Sequence, residues 1–381
     1  MTIQSVRLAL YLGHGHPTPA PANITKAVQQ VTVRQDDGGA QGFSLTLRAE
    51  RDWAGRPDYA LLHAAKLKPG SRLVIAMTLN ATPSVLLDGV IDHIQLNPPQ
   101  AGQAATITIS GGDVSRLMDL VDVNMALPLP NITAVVTAIL AKYIPLGITP
   151  AIIPTIKEFT RLPIERAFFQ KGSDLHYLRK LAGENGYIFV IRPGPLPGLS
   201  LAYWGPLIKV GLPQKGLTVD MGHSTNIETI NFEYDARKPR QVYGLVAQEN
   251  TAVPVPVLSL TNIYPPPLAS HSPFLYNQPY IKKERQTISK GGSVTEAYLQ
   301  AQARVDESAD SVVRVTGTLN ALQYGAILRA PGIVGLCGAG QAHDGYYYVK
   351  SVTHTISQGR YQQQFVLGRE GLGSIVNRIN P

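Results

Sequence analysis

The fold turns on Gly172-Ser173-Asp174-Leu175-His176-Tyr177-Leu178-Arg179-Lys180-Leu181-Ala182-Gly183-Glu184-Asn185-Gly186-Tyr187-Ile188-Phe189-Val190-Ile191. Ser173 is an N-cap residue, and Asp174 suits the positive end of a helix dipole. Leu175, Leu178, Leu181 and Ala182 fall on one helical face, and Asn185-Gly186 supplies a left-handed stop. Tyr187 to Ile191 then reads as a strand, and Leu199 to Trp204, past a Pro/Gly turn, as a second. Helix, strand, strand is a compact α/β unit, unlike a parallel nucleotide-binding unit. Ser173, Asp174 and His176 superficially form a catalytic set, but their spacing is that of a helix start.

Towards the N-terminus the period changes. Asn131 caps a helix whose stripe is Ile132, Val135, Val136, Ile139, Leu140 and Tyr143, ending before Pro145. Val114, Leu117, Met118 and Val121 predict another helix after Asp113. Before that the chain reads as strands. Val31 and Val33 alternate with polar neighbours, as do Phe43, Leu45 and Leu47, and Asp36-Asp37-Gly38-Gly39 between them marks a hairpin. Leu73 to Ala76, Val90 to Leu96 and Thr106 to Ile109 continue the pattern, punctuated by Pro69-Gly70 and Asn97-Pro98-Pro99.

Towards the C-terminus strands return from about 216. Ile227 to Tyr234 and Arg240 to Glu249 read as a pair separated by Asp235 to Pro239. Residues 250–291 carry seven prolines, too many for a continuous backbone ladder, yet are rich in Val, Leu, Ile, Phe and Tyr. Ser293-Val294-Thr295-Glu296 fits a capping box, with Val294, Ala297, Tyr298, Ala301 and Val305 on one face. Strands follow at Ser311 to Leu319, Ala326 to Leu328, Tyr346 to His354 and Tyr361 to Leu367. The expected fold is mainly β with an α/β insertion: two small β-barrel domains of related fold flanking a helix-strand subdomain. Its parts are residues 1–112, 113–215 and 216–381, the last with the Pro-rich arm 250–291.

Composition narrows the function. Of 381 residues, 44% are hydrophobic and only 16% charged, against roughly 25% charged in average domains. Either the surface is uncharged polar, or partner chains cover much of it. The excess of Lys and Arg, 34 against 26 acidic residues, is scattered, which argues against sequence-specific nucleic-acid binding. Cys337 is the single cysteine, so neither an intrachain disulfide nor a multi-cysteine zinc site is expected. The most apolar stretch, Ile132 to Ile144, is short and holds Lys142, so no stable membrane insertion is expected. The opening run Leu8 to Leu12 is too brief for a signal peptide, so synthesis and folding in a cytoplasm are expected.

No constellation for catalysis emerges. Gly-x-Ser-x-Gly, His-Glu-x-x-His and Walker-type sequences are absent. Gly335, Gly338, Gly340 and Gly345 read as a turn feeding the strand at Tyr346, and His14 and His16 lack a third metal ligand. Glu158 and Glu165 have Arg161 and Arg166 nearby, so solvated ion pairs account for them. The expectation is no catalytic residue, no metal and no cofactor.

Gly172 to Tyr187 resembles a recurring helix of contractile-tail hub proteins, among them phage late control protein D and the hub part of type VI secretion spike proteins. Gly345-Tyr346-Tyr347-Tyr348-Val349-Lys350-Ser351-Val352-Thr353-His354, with Tyr361 and Phe365, is similar to the family's closing strands. The capped helix and strand order before it match as well. The resemblance implies a non-enzymatic homotrimer at the centre of a tail or injection-system baseplate. Two related barrels per chain would present a pseudo-sixfold ring to the tail tube protein on one face and a spike protein on the other. Little chain follows Gly368, so the spike is expected to be separate, and no lysozyme-like insertion is present. The implied location is a virion tail baseplate or injection-system particle.

The Pro-rich arm is the candidate docking element for a neighbouring subunit or another baseplate protein, through Ile263, Tyr264, Pro265, Pro266, Pro267, Phe274 and Tyr276. A loop packed on its own domain is the plainer reading. The competing functional class is a secreted β-rich carbohydrate-binding protein or cell-wall hydrolase, for which Trp53 and Trp204 are the only tryptophans.

Overall fold

A computed structural model describes residues 6–39, 41–52, 58–59, 61, 66–99, 104–155, 167–247, 254–263, 266–274, 281–285 and 294–376. The chain is mainly β, with few helices. The first unit contains β1 (Val6–Gly13), β2 (Val28–Asp36), β3 (Gly42–Arg48), β4 (Arg72–Leu79), β5 (Thr82–Asn97) and β6 (Thr106–Asp113). All neighbours are antiparallel in the order β2-β3-β6-β5-β4-β1. The hairpin expected around Asp36 to Gly39 is β2–β3. Alternation drives the burial: Val31, Val33, Phe43, Leu45 and Leu47 point into one core with Leu10, Leu12, Leu73 and Ile75. Leu8 to Leu12 lie in β1, paired along β4.

The insertion holds β7 (Asp122–Leu127), α1 (Ile132–Ala141), β8 (Ile148–Ile152), β9 (Phe168–Ser173), α2 (Asp174–Glu184), β10 (Ile188–Pro193) and β11 (Ser200–Gly205). Both expected caps form. Asn131 Oδ1 accepts from Ala134 N at 2.8 Å, and Ser173 Oγ from His176 N at 3.2 Å. Gly186 ends α2 with φ +67. Strands β10 and β11 are antiparallel, with β8 parallel to β11 on its other side. Strands β7 and β9 form a separate ribbon. The helix expected from Val114 to Val121 is a 3-10 turn, Val114–Asp119, capped by Asp113. It stops there because Leu120 and Val121 face solvent and the chain enters β7.

The second unit contains β12 (Gln214–Thr218), β13 (Ile227–Tyr234), β14 (Arg240–Ala247), β15 (Pro254–Ser259), β16 (Lys282–Arg285), α3 (Val294–Ala309), β17 (Val313–Asn320), β18 (Gly332–Cys337), β19 (Gly345–Ser357) and β20 (Arg360–Arg369). The expected pairing of Ile227–Tyr234 with the next strand does not occur. Strand β13 pairs with β17, whereas β14 lies between β15 and β16 in a separate sheet. Two different cores pull the strands apart. Ile227 belongs to the cluster of Val315, Tyr347 and Phe365, while Val242 and Val246 pack with Ala297, Ala301 and Val305 of α3. Ala326 to Leu328 is not a strand. Strand β19 pairs with β18 as well as with β20 and β2, so Gly335 lies in a strand opposite Tyr346 rather than in the turn.

The two β units share one thirteen-stranded sheet. Its order runs β13-β17-β20-β19-β2-β3, with Val31 opposite Ile356, Val33 opposite His354 and Gln35 opposite Val352 at the seam. Ala321, Ile356 and Tyr361 from the C-terminal part enter the core of the first unit.

Candidate functional site

The shared sheet has an inner apolar and an outer polar face. Hydrogen-bonded register lines up Thr229, Thr318, Gln364, Thr353 and Arg34 across five strands. A second row is Asn231, Thr316, Val366, Ser351 and Asp36. A third continues into the first unit through Gln362, Thr355, Thr32, Ser44, Ser110 and His93. All are half-buried or exposed, while their alternates are core residues. Hydroxyls and amides dominate, and the pair Arg34–Asp36 (2.8 Å) is internally neutral. The result is a wide polar sheet face, joined at one end by charges: Glu233 lies opposite Arg314, and Asp37, Lys238 and Lys350 line the same hollow. Threonine suits it because a β-branched side chain fits the pleat while its hydroxyl stays wet.

A second surface lies on the three-stranded sheet β15-β14-β16. One side packs on α3; the other leaves Tyr243, Leu245 and Leu258 exposed, with Leu260 exposed just beyond β15. Tyr243 lies opposite Leu258, and Leu245 opposite Pro256, so these side chains form one patch. The sheet edge at β16 carries Lys282, Lys283 and Arg285, an arrangement that discourages further strand addition.

This patch changes how the Pro-rich arm is read. The arm folds back on its own domain as β15 and β16. Phe274 is buried against Val242 and Val257 and is not available for docking, because the core under α3 needs it. Ile263, Pro266 and Pro267 are exposed. Tyr264, Pro265 and Tyr276 lie outside the described residues. The exposed Tyr243 and Leu245, which the sequence reading assigned to an ordinary paired strand, were missed; a proline-flanked β15 with alternating apolar residues was the available signal.

Buried charges bolt these parts together. Lys209 Nζ sits 2.6 Å from Asp310 Oδ1 and 3.3 Å from Glu370 Oε2, with all three residues buried. Glu370 also accepts from the backbone N–H groups of Leu268 and Ala269, tying the Pro-rich segment to the end of β20. Burial pushes the Asp310 carboxyl up; the neighbouring Asp310 and Glu370 charges hold the Lys209 ammonium up despite burial. Arg72 makes a bidentate pair with Asp88 (2.7 and 2.6 Å) and donates to Leu146 O and Gly198 O, clamping the insertion on the first unit.

The catalytic lookalikes resolve into structure. Ser173 Oγ donates to Asp119 besides capping α2. Asp174 is buried and accepts from Lys142 (3.0 Å), Tyr143 (2.8 Å) and Gln170 (2.6 Å), which joins α1 to α2. His14 and His16 lie in exposed bends between strands. Among the described residues no group of three His, Cys, Asp or Glu side chains could hold a metal ion. Glu158 and Glu165 lie outside the described residues, as does Trp53, and Trp204 is fully buried. No helix among them is long and apolar enough to cross a membrane.

No protein-family model matches the chain, and no curated protein matches it in sequence. Solved structures do match in fold. A tail protein from Neisseria meningitidis MC58 is 13% identical with a TM-score of 0.64, the match covering 97% of this chain and 98% of that one. The 43 kDa tail protein of prophage MuSo2 from Shewanella oneidensis is 11% identical, TM-score 0.64, covering 96% and 99%. An E. coli component of the type VI secretion system, described as structurally similar to T4 tail proteins gp27 and gp5, is 13% identical, TM-score 0.55, covering 93% and 77%. From end to end, this chain has the fold shared by these phage tail and type VI secretion proteins.

Proposed function

We propose that the chain is a structural central hub of a contractile tail or injection-system baseplate, joining a hexameric tail tube to a trimeric spike. One observation carries this reading: the fold matches phage tail proteins over nearly the whole length of both partners. In this reading residues 1–112 and 216–381 are the paired ring-forming domains and 113–215 the subdomain between them. The shared sheet supports it. A subunit that must transmit an axial load gains from one hydrogen-bonded sheet running through both β units, which couples them directly.

The chain acts as a homotrimer and performs no bond chemistry. Its ring buries more than about 2,000 Å² per subunit pair, the range of obligate interfaces. A threefold ring made of heterologous contacts closes without leaving free ends. Light scattering and negative-stain imaging of purified protein test the proposal. A threefold ring with a central hole is expected; a monodisperse monomer at micromolar concentration overturns it.

A further inference from the structure

A cleft of about 410 Å³ lies where the insertion meets both β units, between Arg192 at the end of β10 and Arg329 before β18. Its walls also include Gln35, Thr149, Leu199 and Leu201. Neither arginine has a carboxylate partner among the described residues. Asp88 is the carboxylate that approaches this lining, and it is already committed, to Arg72 on both oxygens and to the Ser200 hydroxyl at 3.0 Å. Two arginines therefore line one half-buried space with no unpaired carboxylate beside them among the described residues. Like charge and burial both oppose the Arg329 cation, whose pKa is held below the ordinary arginine value, burial contributing most and Arg192 next.

The arrangement is held rather than loose. Gln214 accepts from Arg329 N and donates to Arg329 O, each at 2.8 Å. Gln35 accepts from Ala330 N at 3.1 Å, and the Arg329 guanidinium donates to the Ser84 hydroxyl. The backbone of Arg192 is fixed by strand pairing with Leu201. Repelling cations kept together by such a frame cost stability unless an anion joins them, and a carboxylate held by two guanidinium groups is a strong, directional contact. The flanking wall is apolar: Pro193, Pro195, Leu199 and Leu201 line the cleft, and Leu196 stands exposed beside it. That mixture suits a carboxylate carried between apolar side chains better than a hydrated phosphate.

We propose that the Arg192–Arg329 cleft is a docking site for an acidic side chain on an apolar segment of a partner protein. The inference stands on the cleft and not on the hub reading, because binding is measured on the isolated chain. The probe is N-acetyl-Leu-Glu-Leu-amide, titrated by calorimetry and chemical-shift perturbation, with the Leu-Gln-Leu peptide and inorganic phosphate as comparisons. Saturable binding of the Glu peptide is expected, weakened roughly tenfold or more by Arg192→Gln, by Arg329→Gln and by the Glu-to-Gln change in the peptide. Arg48→Gln, an exposed arginine of β3 beside Glu50, is the control and should leave binding unchanged. Arg329→Lys, which keeps the charge, guards against loss of fold and should retain part of the affinity. The proposal is overturned by equal binding of the Gln peptide, by indifference to both arginine substitutions, by tighter binding of phosphate than of the Glu peptide, or by no saturable binding.

Discussion

Individual buried polar residues decide much of this molecule's stability, and two of them give sharp tests. Replacing Lys209 by Met leaves Asp310 and Glu370 facing each other in a buried site without a cation. Breaking a buried ion pair from one side costs about 3–5 kcal/mol, so urea unfolding should show a loss of that order. His354 gives the pH test. Fully buried, it takes part in hydrogen bonds with Tyr361 (2.9 Å) and Gln363 (3.0 Å) through Nδ1. Burial, helped by the Arg329 charge, lowers its pKa from 6.5 to about 3. Between those values the unfolded chain binds a proton that the folded chain refuses, so stability falls as pH falls from about 6.5 towards 3. Asp113 acts in the opposite sense, its pKa raised by burial from 3.8 to about 6. Over that window the folded chain binds the extra proton, and stability from this group rises as pH falls. His354→Asn should therefore flatten the acid limb of a melting-temperature profile, and Asp113→Asn should steepen it. The slope is the readout, because both substitutions also lower the level.

Local elements were legible where a single period and a cap coincided. The Ser173 and Asn131 helices, the β2–β3 hairpin and the β10–β11 pair all follow from short-range chemistry. Partner choice was not legible. Strands β13 and β14 are adjacent in sequence and both alternate, yet they serve different cores, defined by residues far along the chain. Glycine hid β18 in the same way, since Gly335 read as part of a turn while the packing treats it as strand. The two-arginine cleft was beyond reach, because Gln35, Thr149, Arg192 and Arg329 converge from distant segments. Helix α3 offers the test at this scale. Ala297 and Ala301 are small because β14 lies directly against them, and both are buried. Ala301→Leu should overpack this contact and cost about 1–3 kcal/mol, read as a shift in denaturant midpoint with far-ultraviolet dichroism retained.

At the scale of the whole molecule, two extended surfaces contrast: a wide polar sheet face and a compact apolar patch. The patch is the better candidate for subunit or baseplate contact in the proposed assembly. Tyr243→Asp combined with Leu258→Asp removes exposed apolar area without touching a core, so the melting temperature should hold within about 2–4 °C. Sedimentation should then show a smaller assembly if the patch is an interface; an unchanged assembly assigns the contact elsewhere.

The seam between β2 and β19 carries a consequence for biosynthesis. Residue 31 hydrogen-bonds across to the neighbourhood of residue 356, so β2 must wait for the distant β19 to emerge from the ribosome. Until then it presents a bare row of peptide groups, a template for pairing with other nascent chains. Prematurely terminated translation products ending before Gly345 should accordingly be sticky, chaperone-dependent species, while the finished polypeptide seals its own exposed border.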